Sequence, residues 1–167
     1  SYFALRTVSL DGMKCLINGK PVFQRLILDQ GFYPDGIYTA PTDEALKHDI
    51  EMSMAMGFNG ARLHQKVFET RFLYWADRLG YLCWGEMASW GIDASRQMTM
   101  GIMLREWLES VERDFCAPSI IGWCPYNEVW GESNNGLRQL TLQMTYRATK
   151  AADPTRPVID ASGGFHC

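Results

Sequence analysis

The sequence predicts an α/β protein organised around a parallel sheet, and three observations predict it. Short apolar runs alternate with helix-length stretches through at least four rounds. The runs are too apolar to leave one face in water, which is the habit of parallel strands covered by helices. Each run also ends in polar residues: Asp29 and Gln30, Arg62 and His64, Glu86, Asn127 and Glu128, then Asp160 and Ser162. Alternation alone fits an open sheet or a closed barrel. Polar residues at the same end of every strand favour a (β/α)8 TIM barrel, whose βα loops converge on one site, over an open sheet with a single switch point. Five strands fall short of eight, and a whole barrel takes about 250 residues. The expectation is therefore a partial barrel of about the first five strands, truncated at its C-terminus.

The elements follow in order. Residues up to Arg25 read as strands: RTVSL, then MKCLI and PVFQR around Asn18-Gly19. Asn-Gly between two apolar runs signals a β-hairpin, because both residues accept the positive φ of a type I′ turn. LILDQ then begins as a buried strand and dissolves into a loop rich in Gly, Pro, Asp and Tyr. A first helix starts at Thr42 as N-cap, with Asp43 and Glu44 in its first turn; Leu46, Ile50 and Met54 form its apolar stripe and Gly57 stops it. FNGARLH is the next strand. A second helix carries Phe72, Trp75, Ala76 and Leu79 and ends at Gly80, before the strand YLCWGEM. A third, from about Thr99 to Arg113, aligns Met103, Trp107 and Val111 ahead of Ala117-Pro118 and the strand IIGWCPY. The fourth, Leu137 to Ala152, aligns Leu137, Leu140, Met144 and Ala148; Asp153-Pro154 ends it before PVIDAS.

Composition narrows the partners. At 167 residues and 47% hydrophobic, the chain is long and apolar enough for one globular core. Sixteen basic against nineteen acidic residues leave a net charge of -3 with no basic block to follow a phosphate backbone, which argues against nucleic acid. No apolar run approaches the roughly 18 to 20 residues that cross a bilayer. The opening SYFALRTV lacks the regions of a signal peptide, so the segment reads as soluble, its compartment unassigned. Five cysteines without paired spacing read as buried, reduced thiols. Three histidines with no pair at metal-ligand spacing argue against a metal-dependent enzyme, and no cofactor is called for.

The run SIIGWCPYNEVWG, residues 119 to 131, carries an apolar strand straight into Asn127-Glu128. A strand stopping at an amide and a carboxyl is what an active site at a barrel's C-terminal rim requires. Together with INGKPVFQR, GFNGARLH and RFLYWADRLGYLCWGEM, in this order, it resembles the catalytic barrel of glycoside hydrolase family 2, the β-galactosidases, β-glucuronidases and β-mannosidases. The opening YFALRTVSLDG is similar to the tail of the immunoglobulin-like domain that precedes such barrels. The implied organisation is residues 1–12 as the end of a β-sandwich domain and 13–167 as the N-terminal portion of the barrel.

The resemblance implies retaining hydrolysis of a terminal β-glycosidic bond, β-galactosidase-like, by two carboxyl groups about 5 to 5.5 Å apart. Glu128 matches the acid/base; to hand over a proton near neutrality it needs a raised pKa, for which an apolar wall of Trp123, Tyr126 or Trp130, or the second carboxylate, is a candidate source. Asn127 matches the amide that holds the sugar 2-hydroxyl. Arg62 matches the arginine that orients the nucleophile. Glu86 matches an acid of the active-site floor, Asp29 a sugar-binding position, and Trp130 a stacking residue beside Glu128. His64 departs from the family's Arg-x-Ser-His by one position, standing in Arg62-Leu63-His64, so a sugar contact and a loop hydrogen bond both stay open for it. The family's nucleophile, a glutamate on strand seven, has no counterpart among these residues, so the implied double displacement needs a carboxylate beyond them and the 167 residues alone are expected to be inactive. Two alternatives stay open: another retaining glycosidase of cellulase or mannanase type, which also presents Asn-Glu on strand four, and a catalytically incomplete half barrel that binds carbohydrate or self-associates through its open edge.

Overall fold

The computed structural model describes residues 2–130, 136–164 and 166–167. Gly131, the last residue of the Asn-Glu motif, and Phe165 lie outside them. The fold is mixed α/β. A small antiparallel sheet holds β1 (Val8–Asp11), β2 (Lys14–Ile17) and β3 (Lys20–Pro21), in the order β1-β2-β3. A four-stranded parallel sheet holds β4 (Leu26–Asp29), β5 (Gly60–Leu63), β6 (Leu82–Glu86) and β7 (Ile120–Cys124), in the order of the chain. The helices between and after these strands are α1 (Asp43–Ala55), α2 (Thr70–Leu79), α3 (Gln97–Asp114) and α4 (Gly136–Ala152).

The hairpin forms where Asn-Gly predicts it: Ile17 pairs with Lys20 across Asn18 and Gly19, both with positive φ. β1 pairs with β2 from Val8↔Ile17 to Asp11↔Lys14, joining residues on either side of position 12. The parallel ladder runs in register, Leu28↔Arg62 and Arg62↔Trp84, then Trp84↔Gly122 and Glu86↔Cys124 after a shift at Cys83/Trp84. In-register partners share a face. Ala61, Leu63, Cys83 and Trp123 face the helices and are buried, and Trp123 meets Trp107 of α3 edge-on at 5.7 Å. Leu28, Arg62, Trp84 and Glu86 share the other face. Gly122 and Gly85 let the two tryptophans lie flat on the neighbouring strand: a Cβ there would come within 2.4 Å of the Trp84 ring and 2.6 Å of the Trp123 ring. The fifth predicted strand, PVIDAS, is not a continuous strand. It meets the β7 segment at single parallel bridges, Trp123↔Val158, Tyr126↔Ala161 and Val129↔Gly164. β4 lies at the sheet edge and leaves Leu28 exposed, so it does not share the full burial expected of every strand.

Helix boundaries follow the capping signals. Thr42 accepts a hydrogen bond from the Ala45 amide at 3.1 Å, and Gly80 closes α2 in the left-handed region. Met103, Trp107 and Val111 form the buried stripe of α3 as predicted. Two stripes differ from expectation. In α1 the buried positions are Leu46, Ile50 and Ser53, and Met54 turns outward. Ser53 is drawn in because its hydroxyl meets that of Tyr81 at 2.7 Å. In α4, Leu137, Leu140 and Met144 face outward, whereas Thr141, Leu142, Thr145 and Thr149 are buried. Each threonine hydroxyl bonds the carbonyl four residues back (Leu137, Thr141 and Thr145, at 2.7 to 2.8 Å), which satisfies the polar atom and leaves the methyl for the core. Among the described residues no helix is long and apolar enough to cross a membrane. All five cysteines are free; Cys15, Cys83 and Cys124 are buried, but Cys116 and Cys167 are exposed, against the expectation of uniformly buried thiols.

The end of the sheet where the strands begin is locked by buried charge. Arg156 donates to Asp153 at 2.6 Å and to the carbonyls of Ile120, Phe115 and Ala117, while Asp153 also accepts from the Trp123 indole at 2.7 Å. Arg6, from the leading segment, reaches the carbonyls of Pro118 and Ile120, and burial followed by the nearby Arg156 charge holds it down at about 10. Burial alone would raise the Asp153 carboxyl. The donors Thr155, Trp123 and Arg156 outweigh it and hold the group below the usual carboxylate range. A depressed folded value means stabilisation that is fully present above the unfolded value of about 3.9 and lost as pH falls through the folded one. Asp153→Asn leaves Arg156 buried without its partner and is expected to cost about 3–5 kcal/mol. Denaturant titration at pH 7 measures this loss, and below about pH 4 the gap between wild type and variant should narrow.

Candidate active site

Arg62, near the end of β5, is the hub of the opposite end of the sheet. Its Nε donates to Glu86 Oε2 at 2.6 Å and its Nη2 to Glu86 Oε1 at 3.0 Å, a bidentate pair across to the last residue of β6. Nη2 also donates to Asn127 Oδ1, beyond the end of β7. One guanidinium thus ties three strand ends together. Burial pulls Arg62 down, but the bonds and charge of Glu86 more than offset it and leave the guanidinium above its ordinary value. Glu86 is fully buried, and Oε1 accepts a further bond from the Gln65 amide at 3.1 Å.

Asn127 is buried at 3% exposure. Its side-chain oxygen accepts from Arg62 and from Ser162 Oγ at 3.1 Å, so the amide NH2 is turned away from both. Its backbone N–H donates to Ser89 Oγ at 3.0 Å. Pro125, which cannot extend the ladder, ends β7 just before it. The segment beyond is held on its other side: Ser162 N–H donates to the Tyr126 carbonyl at 3.1 Å and Val129 N–H to the Gly163 carbonyl at 3.0 Å. Glu128 therefore projects from a backbone pinned on both flanks. Its side chain is exposed, and Oε2 accepts from the Trp130 indole at 3.1 Å.

The other predicted residues divide. Asp29 ends β4 and accepts from the Gly31 amide at 2.8 Å; burial pushes its carboxyl up, partly countered by that bond. His64 pairs through Nδ1 with Gln30 Nε2 at 2.9 Å, in the loop beside Asp29, and makes no contact with the Arg62 hub. Trp130 lies against Glu128 as expected. Trp123 and Tyr126 do not wall Glu128: Trp123 packs under α3, and Tyr126 points to Thr145 of α4 at 3.3 Å. Asp160, expected at the rim, bonds His166 and the Cys167 amide instead. Among the described residues no group of three His, Cys, Asp or Glu could hold a metal ion.

Three residues that build the site carry no motif in the sequence. Gln65 sits at φ 58, accepts from the Ser89 and Trp90 amides through Oε1, and donates its own amide to Glu86. Ser89 and Ser162 hold Asn127 from two sides. A non-glycine in the left-handed region two residues after a strand is a signal only coordinates reveal.

The fold described above is shared with known sugar-cleaving enzymes. The β-glucuronidase from Ruminococcus gnavus in complex with D-glucuronic acid shares the fold at TM-score 0.85 and 22% identity, over 94% of this chain and 27% of that one. β-Glucuronidase 2 from Bacteroides uniformis, covalently bound to cyclophellitol-6-carboxylate aziridine, matches at 0.82 and 26%, over 95% and 20%. The family 2 β-galacturonidase from Eisenbergiella tayi bound to galacturonate matches at 0.81 and 23%, over 95% and 28%. The chain thus spans under a third of the length of these proteins. The resemblance read from the motifs holds for the fold, since the structures it matches are β-glucuronidases and a family 2 β-galacturonidase. No protein-family model and no curated protein matches the chain.

Replacing Arg62 by Met leaves Glu86 buried without a cation. The expected cost is about 3–5 kcal/mol in denaturant unfolding. Arg62→Lys, which keeps the charge and loses the fork, should fall between Met and wild type; a lysine variant no better than methionine would mean that the bidentate geometry, not the charge, supports the site.

Proposed function

We propose that the chain is part of a retaining β-glycosidase of glycoside hydrolase family 2, contributing the first strands of its (β/α)8 barrel. Glu128 acts as acid/base and the nucleophile comes from residues outside this segment. The observation that carries this reading is the placing of Asn127-Glu128 directly beyond β7, with Asn127 gripped by Arg62, Ser89 and Ser162. The grip leaves the amide NH2 as a donor for a sugar hydroxyl at C2, a contact that strengthens in the oxocarbenium-like transition state. Glu128, exposed and bonded only by the Trp130 indole among the partners described, can reach a leaving-group oxygen and exchange its proton with solvent. In this reading Asp29, at the end of β4, binds the sugar and Glu86 forms the floor.

The covalent ligand of the Bacteroides uniformis enzyme supports a route with a covalent intermediate. The resemblance implies a galactoside, whereas the names of the fold neighbours support a uronide. Aryl β-galactoside, β-glucuronide and β-galacturonide assayed side by side on the protein containing the whole barrel separate these sugars. In that protein, Glu128→Gln is expected to depress hydrolysis of substrates with poor leaving groups by orders of magnitude and to spare activated aryl glycosides, because only the former need the proton. Equal loss on both overturns the acid/base role.

A further inference from the structure

Lys66 is the only buried lysine among the described residues, 4% exposed, and the site as built above does not use it. An ammonium is taken out of water only where its hydrogens find acceptors. Nζ of Lys66 donates to the Gly31 carbonyl at 3.1 Å and to the Tyr38 carbonyl at 2.8 Å, and lies 3.5 Å from the Glu69 carboxylate. The rings of Tyr38 and Phe68 close over it at 4.6 and 4.9 Å. We infer that Lys66 is a positioning residue: its ammonium bolts the loop 31–38 against the turn at Gln65 and so keeps the Gln65 amide on Glu86, the carboxylate that fixes the Arg62 fork. The effect on catalysis rests on the glycosidase reading above; the effect on the Gln65 amide does not.

Backbone strain marks both segments that the ammonium joins. Among the described residues three other than glycine have positive φ: Asn18 belongs to the hairpin, and the others are Ile37, at 55°, and Gln65, at 58°. Ile37 immediately precedes Tyr38, and Gln65 immediately precedes Lys66. A β-branched residue in the left-handed region is an outlier, and such positions persist only where their surroundings over-determine them. Gln65 is held through its carbonyl by the Tyr38 hydroxyl at 3.0 Å, through its amide by Glu86 at 3.1 Å, and through Oε1 by the Ser89 and Trp90 amides.

The near end of the loop is fixed by the sheet, where the His64 amide donates to the Asp29 carbonyl at 2.7 Å. The far end lies outside both sheets and returns through the isolated Tyr33–Ile37 bridge; there the ammonium takes the Tyr38 carbonyl. Tyr38 thus meets the turn twice, by its carbonyl to Lys66 and by its hydroxyl to Gln65. Gln30 and His64 span the same gap at 2.9 Å, but in contact with solvent. Gly31 admits the ammonium: it sits at φ 62, and a Cβ there would come within 2.8 Å of Nζ.

Hydrogen exchange resolved to single amides, on the full chain, tests the bolt. Lys66→Met keeps the stem and removes the charge and its donors. The Gln65 amide is expected to exchange about tenfold faster than in wild type, the order of one net hydrogen bond lost, while the Cys83 amide, bonded to the Ser119 carbonyl in the sheet, stays unchanged. Tyr38→Phe leaves the core alone, removes only the hydroxyl bond to Gln65, and should raise exchange at Gln65 by a smaller factor; it decides the matter if Lys66→Met fails to fold. A Gln65 amide unmoved in Tyr38→Phe, or moved no more than Cys83 in Lys66→Met, overturns the inference. In the protein containing the whole barrel, Lys66→Met is expected to lower kcat on an aryl β-glycoside about tenfold with KM little changed, since a misaimed Asn127 loses a contact made mainly in the transition state. A raised KM with kcat intact overturns the part played in catalysis. Wild-type protein that cleaves no glycoside overturns the glycosidase reading, and the exchange result alone then upholds or overturns the bolt.

Discussion

The guanidinium of Arg62 is the interaction on which the rest of the site depends. Its fork spans three successive strands, from β5 to Glu86 on β6 and to Asn127 beyond β7. A buried ion pair of this kind adds little net stability, since desolvation consumes most of the attraction. What it supplies is geometry. With both Glu86 oxygens engaged and the Asn127 oxygen claimed, the orientation of the amide is fixed before any ligand arrives. A lysine could carry the charge but not bridge two partners in one plane.

The two ends of the sheet use buried charge for different ends. Where the strands begin, Arg156 donates to Asp153 and three carbonyls, and Arg6 adds the leading segment to the same cluster. The partners there are carbonyls of the backbone and a closed ion pair, with the Trp123 indole and Thr155 also donating to Asp153. Where the strands end, the donors and acceptors are equally well paired around Arg62, yet Glu128 and Trp130 remain open to solvent. Under the proposed barrel reading, this is the division of (β/α)8 folds, in which stability concentrates at one rim and chemistry at the other.

Much of the fold was legible because its signals are local. Thr42, Gly80 and Asn18-Gly19 set their caps and turn without help from distant residues, and the α3 stripe of Met103, Trp107 and Val111 obeys a simple period. The α4 stripe is not legible in hydropathy, which ranks Leu140 and Met144 above threonine, whereas a threonine that returns its hydroxyl to the helix behaves as a small apolar residue. The same limit applies to the site. Arg62, Glu86 and Asn127 could be nominated from strand-end position, and the coordinates bring them into one network. Gln65, Ser89 and Ser162 could not, because their roles consist of bonds to residues 21 to 38 positions away that no periodicity encodes. The bond of His64 to Gln30 across 34 positions is likewise one that no periodicity encodes.

The contrast between Glu86 and Glu128 decides which of them can serve as proton donor in the proposed reaction. Glu86 Oε2 accepts from Arg62 Nε, and Oε1 from Arg62 Nη2 and the Gln65 amide, and the side chain is fully buried behind these bonds. A carboxyl so enclosed can shape a field, but it cannot pass a proton to a departing oxygen without breaking the network that orients Asn127. Glu128 has the opposite endowment: an exposed side chain, a single indole donor described against it, and a backbone held by strand-like bonds on one side and by Asn127's anchors on the other. A proton donor needs a mobile proton on an immobile frame. Of the two carboxyls at the ends of β6 and β7, only Glu128 meets both conditions.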